Sequence, residues 1–378
     1  MRRGVSVLWM LFVLALVGMP LGAQSPEGPI APRPGVPVQQ APPQARLVVR
    51  VSLVNTPVTV RDAKGDMVAN LEMKDFRISD NGIEQKISHF DLGGDPISLV
   101  VLLETSSRID AMLPELRKTG ILLTQTVMGP TGEAAIVGFS DSVDKLQDFT
   151  ANADQIEKTV SRLQTSTSGL KLYDAMAAGL EMLSGRPQAT PERPGHRRVM
   201  LILSEATDAG SETKLGAVLR QAQLSNVTIY SVGLSTTRAE LQAKPKDPVP
   251  QITPPGTFGL PPQPGVPQTP DTEAARYGSG NLLALAVWAV QHVKDKISDH
   301  ALEVAATATG GAHLATFKDR SIEKAIDEIG GELHAQYSLS YTPTGTDDYG
   351  YHEIKIQVIP SGLKVRARPG YYVAPPES

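Results

Sequence analysis

PISLVVLLETSSRID (residues 96–110) decides how the rest of this chain is read. From Ile97 to Leu103 the run is almost wholly aliphatic and β-branched, without the polar–apolar alternation of a half-exposed strand. That is the pattern of a strand buried on both faces, as in a parallel sheet covered by helices. The run ends abruptly in an acid and two serines, and IDAMLPELRKTGILLTQTV (109–127) then takes up helical spacing. Ligands of open α/β sheets bind outside the carboxyl ends of the strands. The polar turn at 104–108 therefore stands where a site would.

Outward from this strand the alternation continues. EAAIVGFSD (133–141), VDKLQDFT (143–150), RRVMLILSE (197–205), VTIYSVGL (227–234) and AHLATF (312–317) read as strands. ADQIEKTVSRLQ (153–164), LKLYDAMAAGLEMLSG (170–185), TKLGAVLRQAQLSN (213–226), NLLALAVWAVQHVKDKI (281–297), ALEVAATATGG (301–311) and SIEKAIDEIGGELHA (321–335) read as helices. Asn152 or Asp154 is available to cap the first of these. The expected fold is α/β, a doubly wound and mostly parallel sheet spanning 96–335. A proline-rich stretch at 244–270 lacks periodicity and reads as a surface insertion, and 24–45 reads as a proline-rich linker.

The segments on either side are β material. RLVVRVSLVNTPVTVRDAKGDMV (46–68) and DFRISDNGIEQKISHF (75–90) carry strand patterns broken by turns at Gly65 and at Asp80–Gly82. QYSLSYTP, YHEIKIQVIP and LKVRARPGYYV supply three more strands within 336–375, with a turn at 344–349. Neither set is thick enough to stand alone. The strands of 46–95 and 336–375 are expected to pair into one small β-sandwich-like module, into which the α/β region is inserted.

Of the 378 residues, 41% are hydrophobic and 20% charged, with a net charge of −4. Basic residues are scattered, so neither a nucleic-acid footprint nor a polybasic membrane patch is present. There is no cysteine, which removes disulfides, thiolate metal sites and a thiol nucleophile together. Arg2 and Arg3 followed by an apolar run at 5–19 and PLGAQS form a secretory signal with cleavage after Ala23. The alternative is an uncleaved anchor. The chain is expected to be exported, periplasmic or secreted, with no membrane span in its mature part.

VVLLETSSRID, GLKLYDAM (169–176) and RRVMLILSEATDAGS (197–211), in this order, resemble the three ligand-bearing loops of a von Willebrand factor A (vWA) domain. With the flanking β segments at 54–90 and 363–373, the chain resembles the exported bacterial vWA-related proteins abundant in acidobacteria. The resemblance implies a vWA/Rossmann-like fold and a metal-ion-dependent adhesion site: D-x-S-x-S after the first strand, a Thr on a later loop, an Asp after the fourth strand. Such sites hold magnesium or calcium through carboxylate and hydroxyl oxygens and leave a position for an acidic partner group.

Carried over position by position, the implied site is degenerate. The first Asp falls on Glu104, the first Ser on Ser106, the second Ser on Arg108, the Thr on Leu170 and the last Asp on Glu205. Thr167 and Ser168 offer hydroxyls only if the register shifts, which the LYDA at 172–175 argues against. Arg108 either takes the place of the ion between Glu104 and Glu205 or points to solvent from the first turn of a helix. No cofactor is expected beyond a weakly held magnesium or calcium.

Other chemistry is thin. The seven histidines do not cluster, YHEIK lacks the H-E-x-x-H spacing, and GFSDS (138–142) is not a nucleophile elbow. Asp208 belongs either to the rim beside Glu205 or to the N-cap of the helix in SETKLGAV (211–218), and Asp174 reads as structural. The apolar stripe around Trp288 reads as packed on its own domain. The function implied is non-enzymatic binding of an extracytoplasmic protein through the upper loops, with Glu104, Ser106, Arg108, Glu205 and Asp208 as candidates. A secreted hydrolase on the same scaffold and an inert envelope scaffold are the alternatives.

Overall fold

The computed structural model describes residues 53–187, 195–205, 208–234, 300–316, 321–344 and 349–373. The segment expected to be an export signal, both proline-rich stretches and the helix expected at 281–297 lie outside these residues. In chain order the strands are β1 (Val54–Arg61), β2 (Phe76–Asp80), β3 (Ile83–Gln85), β4 (Ile87–Leu92), β5 (Ile97–Glu104), β6 (Glu133–Phe139) and β7 (Val143–Thr150). They continue with β8 (Arg197–Ser204), β9 (Val227–Leu234), β10 (His313–Thr316), β11 (Tyr337–Tyr341), β12 (Gly350–Val358), β13 (Lys364–Ala367) and β14 (Gly370–Val373). The described helices are α1 (Leu113–Leu116), α2 (Gly120–Leu122), α3 (Ala153–Ser161), α4 (Leu172–Ser184), α5 (Leu215–Leu224), α6 (Ala301–Thr309) and α7 (Ile322–His334).

The central sheet has the order β10-β9-β8-β5-β6-β7, parallel throughout except for the antiparallel β6–β7 pair. All eight residues of β5 are buried. Val100 and Leu102 face a core under α4, α5 and α6, while Leu99, Val101 and Leu103 face one under α3 and α7. The unbroken apolar run is thus two period-2 faces, each with its own layer of helices. From β5 the chain builds outward through β6 and β7, then crosses to build β8, β9 and β10 on the other side. This is the doubly wound, Rossmann-like order, and its switch point falls between β5 and β8.

The remaining strands form two antiparallel sheets, β13-β1-β11-β4 and β14-β12-β2-β3. Val58, Val60, Tyr337 and Leu339 of the first pack against Phe76 of the second, with Phe76 and Tyr337 ring centroids 5.0 Å apart. β1 pairs with β11 and β13, and β2 with β12, so strands from both ends of the chain make one sandwich around the inserted α/β region. The DNG turn closes the β2–β3 hairpin with Asn81 and Gly82 both at positive φ, the requirement of a two-residue type I′ connection.

Glu332 on α7 ties the two parts together. Its buried carboxylate takes Arg61 of β1 at 3.1 Å, Arg366 of β13 and the Tyr230 hydroxyl of β9 at 2.9 Å.

One helix differs from its sequence pattern. The segment expected to be a single helix over 109–127 breaks into the short α1 and α2 and a π-helical turn at Leu123–Met128. Pro114 lacks the N–H that would continue a preceding turn, so α1 starts there. Thr119 and Thr126 then donate their hydroxyls to the carbonyls of Leu116 and Leu122, a back-bonding that bends helices.

Candidate functional site

The loops after β5 and β8 meet at the switch point, and Glu104 is their centre. Its side chain is fully buried. Ser106 Oγ donates to its Oε1; Ser204 Oγ and the Glu205 backbone N–H each donate to its Oε2 at 2.8 Å. Burial pushes the Glu104 carboxyl above the ordinary range, and the nearby Glu205 charge adds to this. The bonds from Ser106, Glu205 N–H and Ser204 offset only part of it. The acid is enclosed by donors that all belong to this chain.

Ser106 caps the 3₁₀ turn Ser107–Ile109, its hydroxyl accepting from the Arg108 N–H at 3.3 Å. In that turn Ile109 is the residue that enters the core, which aims Arg108 outward. Arg108 is exposed, and among the described residues its guanidinium makes no ion pair or hydrogen bond. Of the two readings left open by the sequence, solvent is the one realised. Arg108 does not stand between Glu104 and Glu205, because the Glu104 oxygens already have three partners.

Leu170 is fully buried in the core under α4 and α5, and its carbonyl accepts from the Ala209 N–H at 2.8 Å. No shifted register brings a hydroxyl to its place. The Thr167 hydroxyl bonds Asp141 instead, and the Thr167 carbonyl accepts from the Ser107 N–H at 3.1 Å. The Thr167 hydroxyl, with help from Ser140, holds the Asp141 carboxyl below the usual range. Ser166 Oγ donates to Ser140 Oγ at 2.8 Å, joining the α3–α4 and β6–β7 loops.

Asp208 lies apart from Glu104. Its Oδ1 accepts from Ser211 Oγ at 2.6 Å and from the Tyr173 N–H at 3.3 Å, so with Ser211 it caps the N-terminus of α4. Asp174 answers from α4, accepting from the Thr213 N–H at 2.9 Å and the Glu212 N–H at 3.2 Å. Burial alone would raise Asp174, but the Thr213 N–H and hydroxyl and the Glu212 N–H outweigh it and hold the carboxyl low. Asp208 thus caps α4 rather than α5, and Asp174 ties the turn before α5 to α4, a fixture behind the rim.

These residues do not fit a hard divalent cation. Such an ion needs about six oxygens at near-octahedral positions. Here one implied ligand is a buried leucine, one is an outward arginine, and the Glu104 and Ser106 oxygens bond each other. Among the described residues no three His, Cys, Asp or Glu side chains come together as a metal cluster. His352 of the YHEIK strand bonds buried Asp80 at 3.0 Å, and His196 bonds Ser98 at 2.9 Å.

Sequence reasoning missed Ser204, Ser140 and Asp141. Ser204 had a signal: it ends an otherwise apolar strand one place before Glu205.

No protein-family model and no curated protein matches this chain. Solved structures do. A conserved hypothetical protein BatB from Bacteroides thetaiotaomicron matches at 12% identity, covering 63% of this chain and 98% of that one, with a TM-score of 0.37. An aerotolerance-related membrane protein from Bacteroides fragilis NCTC 9343 matches at 10% over 63% of this chain and 98% of that one, TM-score 0.36. A von Willebrand factor type A structure from Catenulispora acidiphila matches at 7% over 86% of this chain and 75% of that one, TM-score 0.42. The similarity is too distant to carry a function.

Among the described residues, no helix is long and apolar enough to cross a membrane.

Proposed function

We propose that this chain is an exported, non-enzymatic protein-binding module of the vWA type abundant in acidobacteria, whose upper loops engage an extracytoplasmic protein without a metal ion. The observation that carries the reading is Glu104 at the switch point, enclosed by Ser106, Ser204 and the Glu205 N–H. The position that would orient a cation instead stitches two loops together. It leaves a firm rim on which Arg108, Asp141 and Glu205 present charges of both signs among exposed hydroxyls. Mixed charge and hydroxyls on a rigid platform suit protein recognition, where complementary charge sets register and encounter rate.

The hydrolase alternative has less support. The Ser106 and Ser204 hydroxyls are both fully buried and committed to Glu104. A nucleophile needs a base within reach and an open approach.

The test is photo-crosslinking in cells that express the full chain. A crosslinking side chain is placed at Arg108, at Asp141, or at exposed Glu181 on α4. A single exported protein trapped from both rim positions and not from Glu181 supports the reading. Equal yields from all three positions, or a partner of the cytoplasm, would sink it.

A further inference from the structure

At the opposite end of the central sheet lies a cavity of about 40 Å³ between the start of β8 and the β-sandwich. Three arginines line it: Arg197 and Arg198 of β8, and Arg368 from the turn between β13 and β14. Each is more than nine-tenths buried. None takes part in an ion pair among the described residues. The bonds they make are to neutral groups. Arg197 Nη1 donates to Gln336 Oε1 at 3.4 Å. Arg198 donates to the carbonyls of Ser225 at 3.0 Å, Ser184 at 3.2 Å and Arg186. Arg368 Nη1 donates to Asn226 Oδ1 at 2.9 Å.

Among the described residues five guanidinium nitrogens have no hydrogen-bond partner: Nε and Nη2 of Arg197, Nε of Arg198, and Nε and Nη2 of Arg368, whose guanidinium also lies 5.7 Å from the Tyr371 ring. Guanidinium stays charged in proteins. Buried positive charge is costly unless it is paired, and the acids near these groups, Asp95 and Asp91 by Arg197 and Asp80 by Arg368, form no ion pair with them among the described residues. Asp95 also lines the cavity and with Asp91 partly offsets Arg197, as Asp80 partly offsets Arg368, while Arg198 has no such acid among the described residues. The space is lined by idle guanidinium donors.

We infer that this cavity is a binding site for a small inorganic oxyanion of the phosphate or sulfate class, held by Arg197, Arg198 and Arg368. The size restricts the class: the cavity has room for a few waters or for one four-oxygen anion in their place, and none for a nucleotide. The chemistry matches, because planar guanidinium forks suit tetrahedral oxyanions. Gln223 Oε1 is a buried acceptor on the same wall, also without a hydrogen-bond partner among the described residues, and it suits the proton of a hydrogenphosphate. Burial pushes all three guanidinium groups below their ordinary range, which an anion in the cavity relieves. Because Arg368 belongs to the sandwich and Arg197 to the central sheet, the anion acts as a clasp between them. This inference is independent of the binding role proposed for the upper rim.

The experiment measures thermal unfolding and calorimetric titration of the full chain with phosphate, sulfate, acetate and chloride at matched ionic strength. Phosphate and sulfate are expected to bind saturably. At ten times Kd the folding equilibrium constant should rise about elevenfold over chloride. Arg368→Gln should weaken phosphate binding at least tenfold, while Arg162→Gln, on the exposed end of α3, should leave it unchanged. Should Arg368→Gln fail to fold, titration of the unmodified chain decides. No saturable binding of phosphate or sulfate, binding equal to that of acetate, or full binding by folded Arg368→Gln each overturns the inference.

Discussion

Ser204, the last residue of β8, donates its hydroxyl to Glu104, the last residue of β5, across 2.8 Å. The two strands are hydrogen-bonded neighbours at the point where the strand order reverses. The bond closes the crevice that this fold class uses for ligands.

Titration of Glu104 is the first consequence. Burial raises its folded-state pKa above the unfolded value, so the folded state holds the proton over a range where the unfolded chain has lost it. The contribution of Glu104 to stability is therefore greatest below the unfolded pKa and declines as pH rises through the folded one. Glu104→Gln copies the protonated acid and should remove this slope. Urea midpoints at pH 8 should show Glu104→Gln at least as stable as the parent, while Glu104→Ala, which orphans three donors, should lose about 3 kcal/mol.

Metal binding is the second. Calorimetry with magnesium, calcium and manganese should show no saturable micromolar site in the native chain. Restoring the oxygen set with Glu104→Asp, Arg108→Ser and Leu170→Thr together should produce manganese binding detectable by electron paramagnetic resonance. Leu170→Thr alone should cost about 2 kcal/mol, because it places a hydroxyl in an apolar core.

The pairing of Asp208 on α4 with Asp174 on the turn before α5 predicts coupling. Asp174→Ala and Asp208→Ala should each destabilise by about 1 kcal/mol, and the double variant by less than their sum, since both hold the α4 and pre-α5 backbone together. Asp174 is held low, so its contribution is present above the unfolded pKa and is lost as pH falls through the folded one. Acid unfolding of Asp174→Asn should be correspondingly shallower.

Glu332 should be among the most sensitive single positions. Glu332→Ala leaves Arg61, Arg366 and the Tyr230 hydroxyl without their shared partner and should cost about 3–5 kcal/mol. Tyr230→Phe removes one hydrogen bond of that set and should cost about 1 kcal/mol by the same denaturant measurement.

The elements that sequence reasoning recovered are those whose period is set by burial. Ile97–Glu104 reads as a two-faced buried strand because alternate side chains enter two cores, and DNG reads as a hairpin because only that turn needs two positive φ values in a row. Glu104, Ser106 and Glu205 were legible as a loop cluster from their place after buried strands. The direction of Arg108 was not, since a one-residue difference in a 3₁₀ turn decides between solvent and site. Likewise Arg197 and Arg198 open a run that reads as a strand, and only the approach of Arg368 from the far end of the chain brings the three together.

That closure from both ends has a bearing on how the chain is made. Val54 finds its neighbour in Tyr341, and Val58 in Ala367. During synthesis β1 and β2 emerge long before the strands that cover them, so the α/β insert can mature while the sandwich stays incomplete. Pairings this distant in sequence are slow to form and leave strand edges bare in the meantime. A product cut short after α7 would keep its central sheet yet carry β1 without β11 and β13, and β2 bare on its β12 edge, as a template for aggregation.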